Sequence, residues 1–232
     1  MKLKYFLLGF FCLLILIIFI INLNNIKDTF DFNHKATSNI LKKHSTKILG
    51  NNSTPIYIID NFLSDNECNN IILSSKDNLI DSPLTRFDSK DPYFRTSKTS
   101  YFNGKKDQDC IENKILNFIK IPKQYSEDSQ VQYYSINKEF KPHYDYFHKD
   151  IDDEFLKNGQ RTWTFMIYLN HVKKGGHTHF HKLNQDIYPK KGRAVIWSNL
   201  HPNGIPNEDT LHQGNPVVEG EKWIITKWFL HN

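Results

Sequence analysis

Cysteine is scarce, with three in 232 residues. So few cannot build a disulfide scaffold or a zinc ribbon. Cys12 falls inside an apolar run, and Cys68 and Cys110 both sit in helical patterns where buried free thiols are expected in preference to a bridge. A basic stripe is also lacking. The net charge is only +5, and the lysines are scattered without interleaved stacking aromatics, which argues against nucleic acid as a partner. Nor is there length for several domains: once the N-terminal segment is set aside, the remainder suits one catalytic unit.

Charge is missing altogether from Tyr5–Ile21, "YFLLGFFCLLILIIFII", which follows a short tail (residues 1–4) carrying Lys2 and Lys4. A helix of that length rises about 25 Å, near the lower limit for crossing a bilayer. No small residues mark a cleavage point after it, so an uncleaved signal anchor is expected. Lysines on both flanks orient it only weakly. Residues 22–55 lack sustained hydrophobic periodicity and read as a stem. It contains two overlapping glycosylation sequons, at Asn51 and Asn52, usable if the segment is lumenal.

Folded structure is expected over residues 56–232. It opens with the strand "IYIID" and a helix whose Ser64 and Glu67 form a capping-box pattern, and a second helix follows near Asp109. Beyond Pro122 the runs "VQYYSI", "RTWTFMIYL", "THFH", "RAVIWS" and "KWIITKWF" read as strands with Gly, Pro and Asn at the joints. Many short strands with two bracing helices imply a mainly β domain, a jelly-roll barrel with flanking helices. The turn-rich "HKDIDDEFLKNGQ" reads as a solvated connector.

Within that barrel His143 and Asp145 stand two apart in "FKPHYDYFHKD", and His212 opens "HQGNPVVEGEKW". Residues two apart on a strand share a face. Two imidazoles and one carboxylate on one face of a metal leave other positions open, the arrangement of non-haem Fe(II) oxygenases. Lys222 lies ten residues beyond His212 in an apolar strand pattern. A buried ammonium needs an anion, and a dicarboxylate such as 2-oxoglutarate would supply one. His177, His179 and His181 form a competing zinc or nickel constellation, but their alternation with Thr178 and Phe180 suits a solvated face.

From about Ile56 to His231 the chain resembles the 2-oxoglutarate- and Fe(II)-dependent dioxygenases, and most closely the membrane-anchored prolyl 4-hydroxylases of plant and algal type. The resemblance rests on "PHYDYFH", Arg161 followed by "MIYLN", "GGHTHF", "LHPNG", "LHQGNPVVEGEKW" and "TKW", in order, with Arg95-Thr96-Ser97 as a shorter match. It implies a double-stranded β-helix with His143, Asp145 and His212 as iron ligands. Lys222, helped by Tyr134 and Thr178, would hold 2-oxoglutarate, and Arg161, Trp163 and Trp228 would line the peptide side. It further implies Fe(II), 2-oxoglutarate, O2 and ascorbate as cofactors. The expected activity is hydroxylation of peptidyl proline in proline-rich or collagen-like chains, with release of succinate and CO2. A lumenal domain in the endoplasmic reticulum or Golgi is the implied setting. Peptidyl lysine as the target, and a non-catalytic metal-containing peptide-binding barrel, are the alternatives. Phe140, Leu230 and His177 depart from residues common among relatives (Tyr, His and Glu), which bears on the peptide and leaves the metal and cosubstrate positions intact.

Overall fold

The computed structural model describes residues 34–83, 91, 93–149 and 152–231. The expected anchor at Tyr5–Ile21 lies outside them, and among the described residues no helix is long and apolar enough to cross a membrane. In chain order they form α1 (residues 34–44), β1 (Lys47–Gly50), β2 (Pro55–Ile59), α2 (Asp65–Ser75), β3 (Ile80–Asp81), β4 (Lys98–Tyr101), α3 (Lys106–Ile119), β5 (Gln130–Tyr134) and β6 (Phe140–His143). After these come α4 (Asp153–Leu156), β7 (Gln160–Tyr168), β8 (Lys174–Gly175), β9 (Thr178–Phe180), β10 (Gln185–Ile187), β11 (Ala194–Ser198), β12 (His212–Gly214), β13 (Val217–Glu219) and β14 (Lys222–His231).

The strands make an eight-stranded sheet, ordered β1-β2-β11-β7-β14-β5-β4-β3, and a four-stranded sheet, ordered β10-β9-β12-β6. A further β13-β8 pair closes one end. The two larger sheets pack face to face as a jelly roll, and strand alternation divides the side chains between two cores. Ile58, Met166, Tyr168, Val195 and Trp197 point inward and meet Phe180 and Ile187 of the small sheet. Their neighbours Tyr57, Phe165, Ile167, Ile196 and Ile225 point outward under the helices, against Leu41, Ile71, Ile111 and Ile115. Both faces of the large sheet are thus buried, which is why its strands read as nearly continuous apolar runs.

Ser64 and Glu67 form the expected capping box, with the Glu67 amide donating to Ser64 Oγ and the Ser64 amide to Glu67 Oε2. The stem boundary differs from expectation. Residues 34–44 are helical with Leu41 fully buried, and β1 pairs antiparallel with β2, so the folded domain begins well before Ile56. These elements are short and polar, and tertiary docking rather than a visible apolar period holds them. Both Cys68 and Cys110 are free thiols, but only Cys68 is buried, where desolvation pushes its pKa up to about 11; Cys110 is exposed.

Lys227, fully buried on the outer face of β14, donates to Glu112 Oε1 of α3 at 2.7 Å and to the Glu127 carbonyl at 2.8 Å. Removing one partner strands the other charge in the core. Lys227→Met is expected to cost about 3–5 kcal/mol in urea unfolding. Pairing it with Glu112→Leu should recover most of that loss, because no charge is then left unpaired.

Candidate active site

The small sheet positions the metal-binding residues. β12 lies between β9 and β6, and its first residue, His212, is directly opposite His143 in the β6 register. β6 ends at His143, so Asp145 sits in the loop just beyond the strand rather than on the strand as the spacing alone suggests. The loop returns it to the same point: Asp145 Oδ1 is 3.7 Å from His143 Nε2, and Oδ2 is 3.8 Å from His212 Nε2. One ligand atom from each of the three lies within 4.8 Å of the others, and all three side chains are nearly buried.

Their surroundings fix the donor atoms. His143 Nδ1–H donates to the Lys141 carbonyl at 2.7 Å, and His212 Nδ1–H to the Thr210 carbonyl at 2.9 Å. Each bond sets the tautomer that leaves the Nε2 lone pair facing the centre. Burial, reinforced by the neighbouring His212, pushes the His143 pKa well below that of an ordinary imidazole, so the ring is neutral. Burial works against the Asp145 carboxylate too, yet His212, His143, Arg161 and the Thr164 hydroxyl outweigh it and keep its pKa low. Thr164 Oγ1 donates to Asp145 Oδ2 at 2.6 Å and accepts from Asn199 Nδ2 at 2.9 Å. Phe140 stacks on His143 with ring centroids 3.5 Å apart, while Phe180 and Trp197 pack on His212.

Behind the three ligands is a narrow chamber of about 40 Å³, lined among others by Tyr134, Thr178, Gly214 and Lys222. Lys222 is 2% exposed and, among the described residues, its ammonium has no hydrogen bond or ion pair. It lies over the Tyr134 ring, 4.1 Å from the centroid, and desolvation alone lowers its pKa to about 7. Gly214 leaves the room around it, since a Cβ there would come within 3.2 Å of Nζ. In front of the ligands opens a groove of about 930 Å³. Phe140, His143, Asp145 and Trp228 line both spaces, so His143 and Asp145 stand at the neck between them, with His212 on the chamber side.

The family model for the 2OG-Fe(II) oxygenase superfamily matches residues 129–230. Prolyl 4-hydroxylase 5 of Arabidopsis thaliana is 33% identical over 197 residues, covering 74% of this chain and 67% of the relative. Prolyl 4-hydroxylase 2 of the same plant is 33% identical over 198 residues, covering 74% of this chain and 66% of the relative. The chain belongs to the prolyl 4-hydroxylase family. It spans about two thirds of the length of these curated relatives. Among solved structures, the viral collagen prolyl hydroxylase of Paramecium Bursaria Chlorella virus-1, in its 2OG complex, superposes with a TM-score of 0.60 at 32% identity. That match covers 75% of this chain and 94% of the viral one.

The cofactors of this 2-oxoglutarate–Fe(II) family fit the residues present. Two imidazoles and a carboxylate are a ligand set for Fe(II), and the buried ammonium of Lys222 is a counter-charge for the far carboxylate of 2-oxoglutarate. Tyr134 and Thr178 both line the chamber, where the Tyr134 hydroxyl donates to Gln132 and the Thr178 hydroxyl bonds that of Tyr168.

On the groove side, Arg161 stacks over Trp228 at 3.8 Å and Phe147 at 4.6 Å, and its Nη1 donates to the Asp145 carbonyl. Trp163 requires correction. It is 3% exposed, belongs to the outer core and stacks on His34, away from the groove. A register shift between Phe229 and Leu230 interrupts the alternation at this end of β7, so Arg161 and Trp163 part company. His177, His179 and His181 lie on the partly exposed outer face of β9 and its flanks, while Thr178 and Phe180 face in; Asp186 pairs with His177 and His179. Sequence reasoning missed Thr164 and Asn199, which brace Asp145, and Glu127, which makes a two-point ion pair with Arg161. The only signal for Thr164 was its inward parity on β7.

Proposed function

We propose that the chain is a 2-oxoglutarate-dependent dioxygenase that hydroxylates peptidyl proline in proline-rich or collagen-like polypeptides. The observation that carries this reading is a buried cation without an anion, Lys222, directly behind an intact His143–Asp145–His212 set that opens onto a substrate-sized groove. A barrel that only bound peptides would have no use for a solitary ammonium in its interior.

Fe(II) with 2-oxoglutarate supplies the oxidising chemistry, in which O2 is consumed, succinate and CO2 leave, and one oxygen atom goes to the substrate carbon. The chain supplies position and dryness. His143, Asp145 and His212 would hold the metal, and Lys222 would fix the distal end of the cosubstrate with Tyr134 and Thr178 beside it. Phe140 and Trp228 narrow the neck, and so shield a reactive centre from bulk water. The aromatic groove, with Tyr144, Tyr146, Phe147 and Trp228, suits an extended polyproline II segment.

The viral relative is named a collagen prolyl hydroxylase and the plant relatives prolyl 4-hydroxylases, which supports proline as the target. Ascorbate would restore activity after uncoupled turnovers. The apolar run Tyr5–Ile21 supports a membrane anchor with the catalytic domain lumenal, which protease protection in sealed microsomes would check.

The test of activity is Fe(II)- and 2-oxoglutarate-dependent succinate release in the presence of poly-proline, collagen-like and lysine-containing peptides, followed by mass spectrometry of the peptide. Proline peptides are expected to stimulate succinate release and to gain one oxygen on proline. Stimulation by lysine peptides alone would transfer the same chemistry to lysine, and peptide binding without succinate from any of them would make the barrel a binding module.

A further inference from the structure

We propose that Gln132 is a further cosubstrate-binding residue, whose side-chain amide donates a hydrogen bond to the metal-side carboxylate of 2-oxoglutarate in the chamber. This rests on the hydroxylase reading and adds a contact to it.

The placement comes from strand register. Gln132 and Tyr134 are two apart on β5, so both point inward. On β14 Tyr134 has Lys222 opposite it and Gln132 has Ile224, which lies two residues nearer to Trp228 at the neck. A dicarboxylate with its far end at Lys222 and its other end at the metal-binding residues therefore runs past Gln132. The glutamine lines the chamber and does not line the groove, so a ligand that reaches it occupies the cosubstrate's space and not the peptide's.

Its hydrogen bonding specifies what that ligand must offer. The Tyr134 oxygen faces Arg95 and Ser97 as an acceptor, and its single proton goes to Gln132 Oε1 at 3.1 Å. That bond sets the orientation of the amide and occupies its carbonyl. Gln132 is 3% exposed, and among the described residues its Nε2 has no hydrogen bond. Nε2 is nevertheless not sealed off, as the indole nitrogen of Trp197 is, and keeps accessible surface. With its oxygen taken, the side chain presents only donors, and a carboxylate only accepts. A cation or a second donor finds no complement there. Beside it on β14 stands Ile224, which offers no acceptor, so the N–H is costly to bury until the ligand arrives.

The experiment titrates 2-oxoglutarate into the full chain loaded with Mn(II) and without O2, reading Kd by calorimetry. Gln132→Met, of similar length, is expected to raise the Kd about tenfold, the worth of one hydrogen bond to a charged group. Gln132→Glu keeps the acceptor for Tyr134 but offers no donor, and should weaken binding at least as much. The affinity for Mn(II) alone should be unchanged in both variants. Whether Gln132 touches the ligand or only braces Tyr134 is decided in a Tyr134→Phe background, where Gln132→Met should still raise the Kd by a similar factor. An unchanged Kd in Gln132→Met, or a loss that disappears in the Tyr134→Phe background, overturns the proposal. Should one variant not fold, the other gives the answer, since binding by Gln132→Glu as tight as that of the unaltered chain overturns it equally. If the unaltered chain binds no 2-oxoglutarate at all, the hydroxylase reading falls and takes the role of Gln132 with it.

Discussion

His212→Ala is expected to abolish peptide-dependent succinate release. Changes to groups that merely brace a metal ligand cost about 10–100-fold in metal affinity or activity, and loss of one of three ligands is expected to cost on the order of 10³-fold or more. The size of the effect follows from where the residue sits. His212 opens β12 opposite His143, its tautomer is fixed by the Thr210 carbonyl, and two aromatic rings hold its plane. No other described histidine is placed with Asp145 to substitute for it, since His177, His179 and His181 face outward on the same sheet. Thr164→Val, which only removes the hydrogen bond to Asp145, should fall in the 10–100-fold range and separate bracing from ligation. Measuring bound Co(II) after dialysis alongside activity assigns the loss to the metal. Circular dichroism guards against a fold effect, because the lost ring also leaves a cavity among Phe180 and Trp197. Wild-type turnover in the His212→Ala chain would remove it from the metal-binding set.

The parts of the site that could be read from the sequence are those carried by short spacings. His143 and Asp145 are close in the chain, and the same histidine–carboxylate pair forms whether Asp145 is on the strand or, as found, just past its end. β14 was also legible as an apolar strand, but the different surroundings of its two lysines were not. Lys222 and Lys227 share one apolar strand five residues apart, an odd spacing that puts them on opposite faces. Lys227 finds Glu112 of a helix more than a hundred residues earlier, and among the described residues Lys222 finds the Tyr134 ring and no anion. That difference depends on tertiary packing that no local pattern contains. Trp163 was misplaced for a related reason. The resemblance groups it with Arg161, and the irregular register near Leu230 that separates them has no signature in composition. α1 and β1 were read as stem because they are short and polar, and only docking against the sheet makes them structure. Glu127 is an ordinary acidic residue until the groove is assembled around it.

Lys222→Met should make the cofactor-free chain more stable while removing its activity. The ammonium is buried and, among the described residues, has no anion beside it, and desolvation lowers its pKa from 10.5 to about 7. Between those two values the unfolded chain carries a proton at this position that the folded chain has lost, so stability rises with pH across that window. Below about pH 7 both forms are protonated and the burden of the buried charge is complete. A displacement of that size corresponds to a few kcal/mol, and Lys222→Met is expected to recover that order of stability at neutral pH and to flatten the rise from pH 7 to pH 9. Scanning calorimetry at several pH values reads both effects. Cosubstrate binding should show the opposite sign. The carboxylate of 2-oxoglutarate favours the ammonium, so binding takes up a proton above pH 7, and its affinity weakens as pH rises past the free lysine's pKa. Titration calorimetry in two buffers of different ionisation enthalpy would detect the proton, and Lys222→Met should lose it together with more than about tenfold in affinity, the worth of one charge-assisted pair. A less stable Lys222→Met chain would mean that the lysine is satisfied within the protein, and the interior would then hold no vacancy for a dicarboxylate. A more stable, inactive one ties the cost of folding this lysine to the anion it is built to receive.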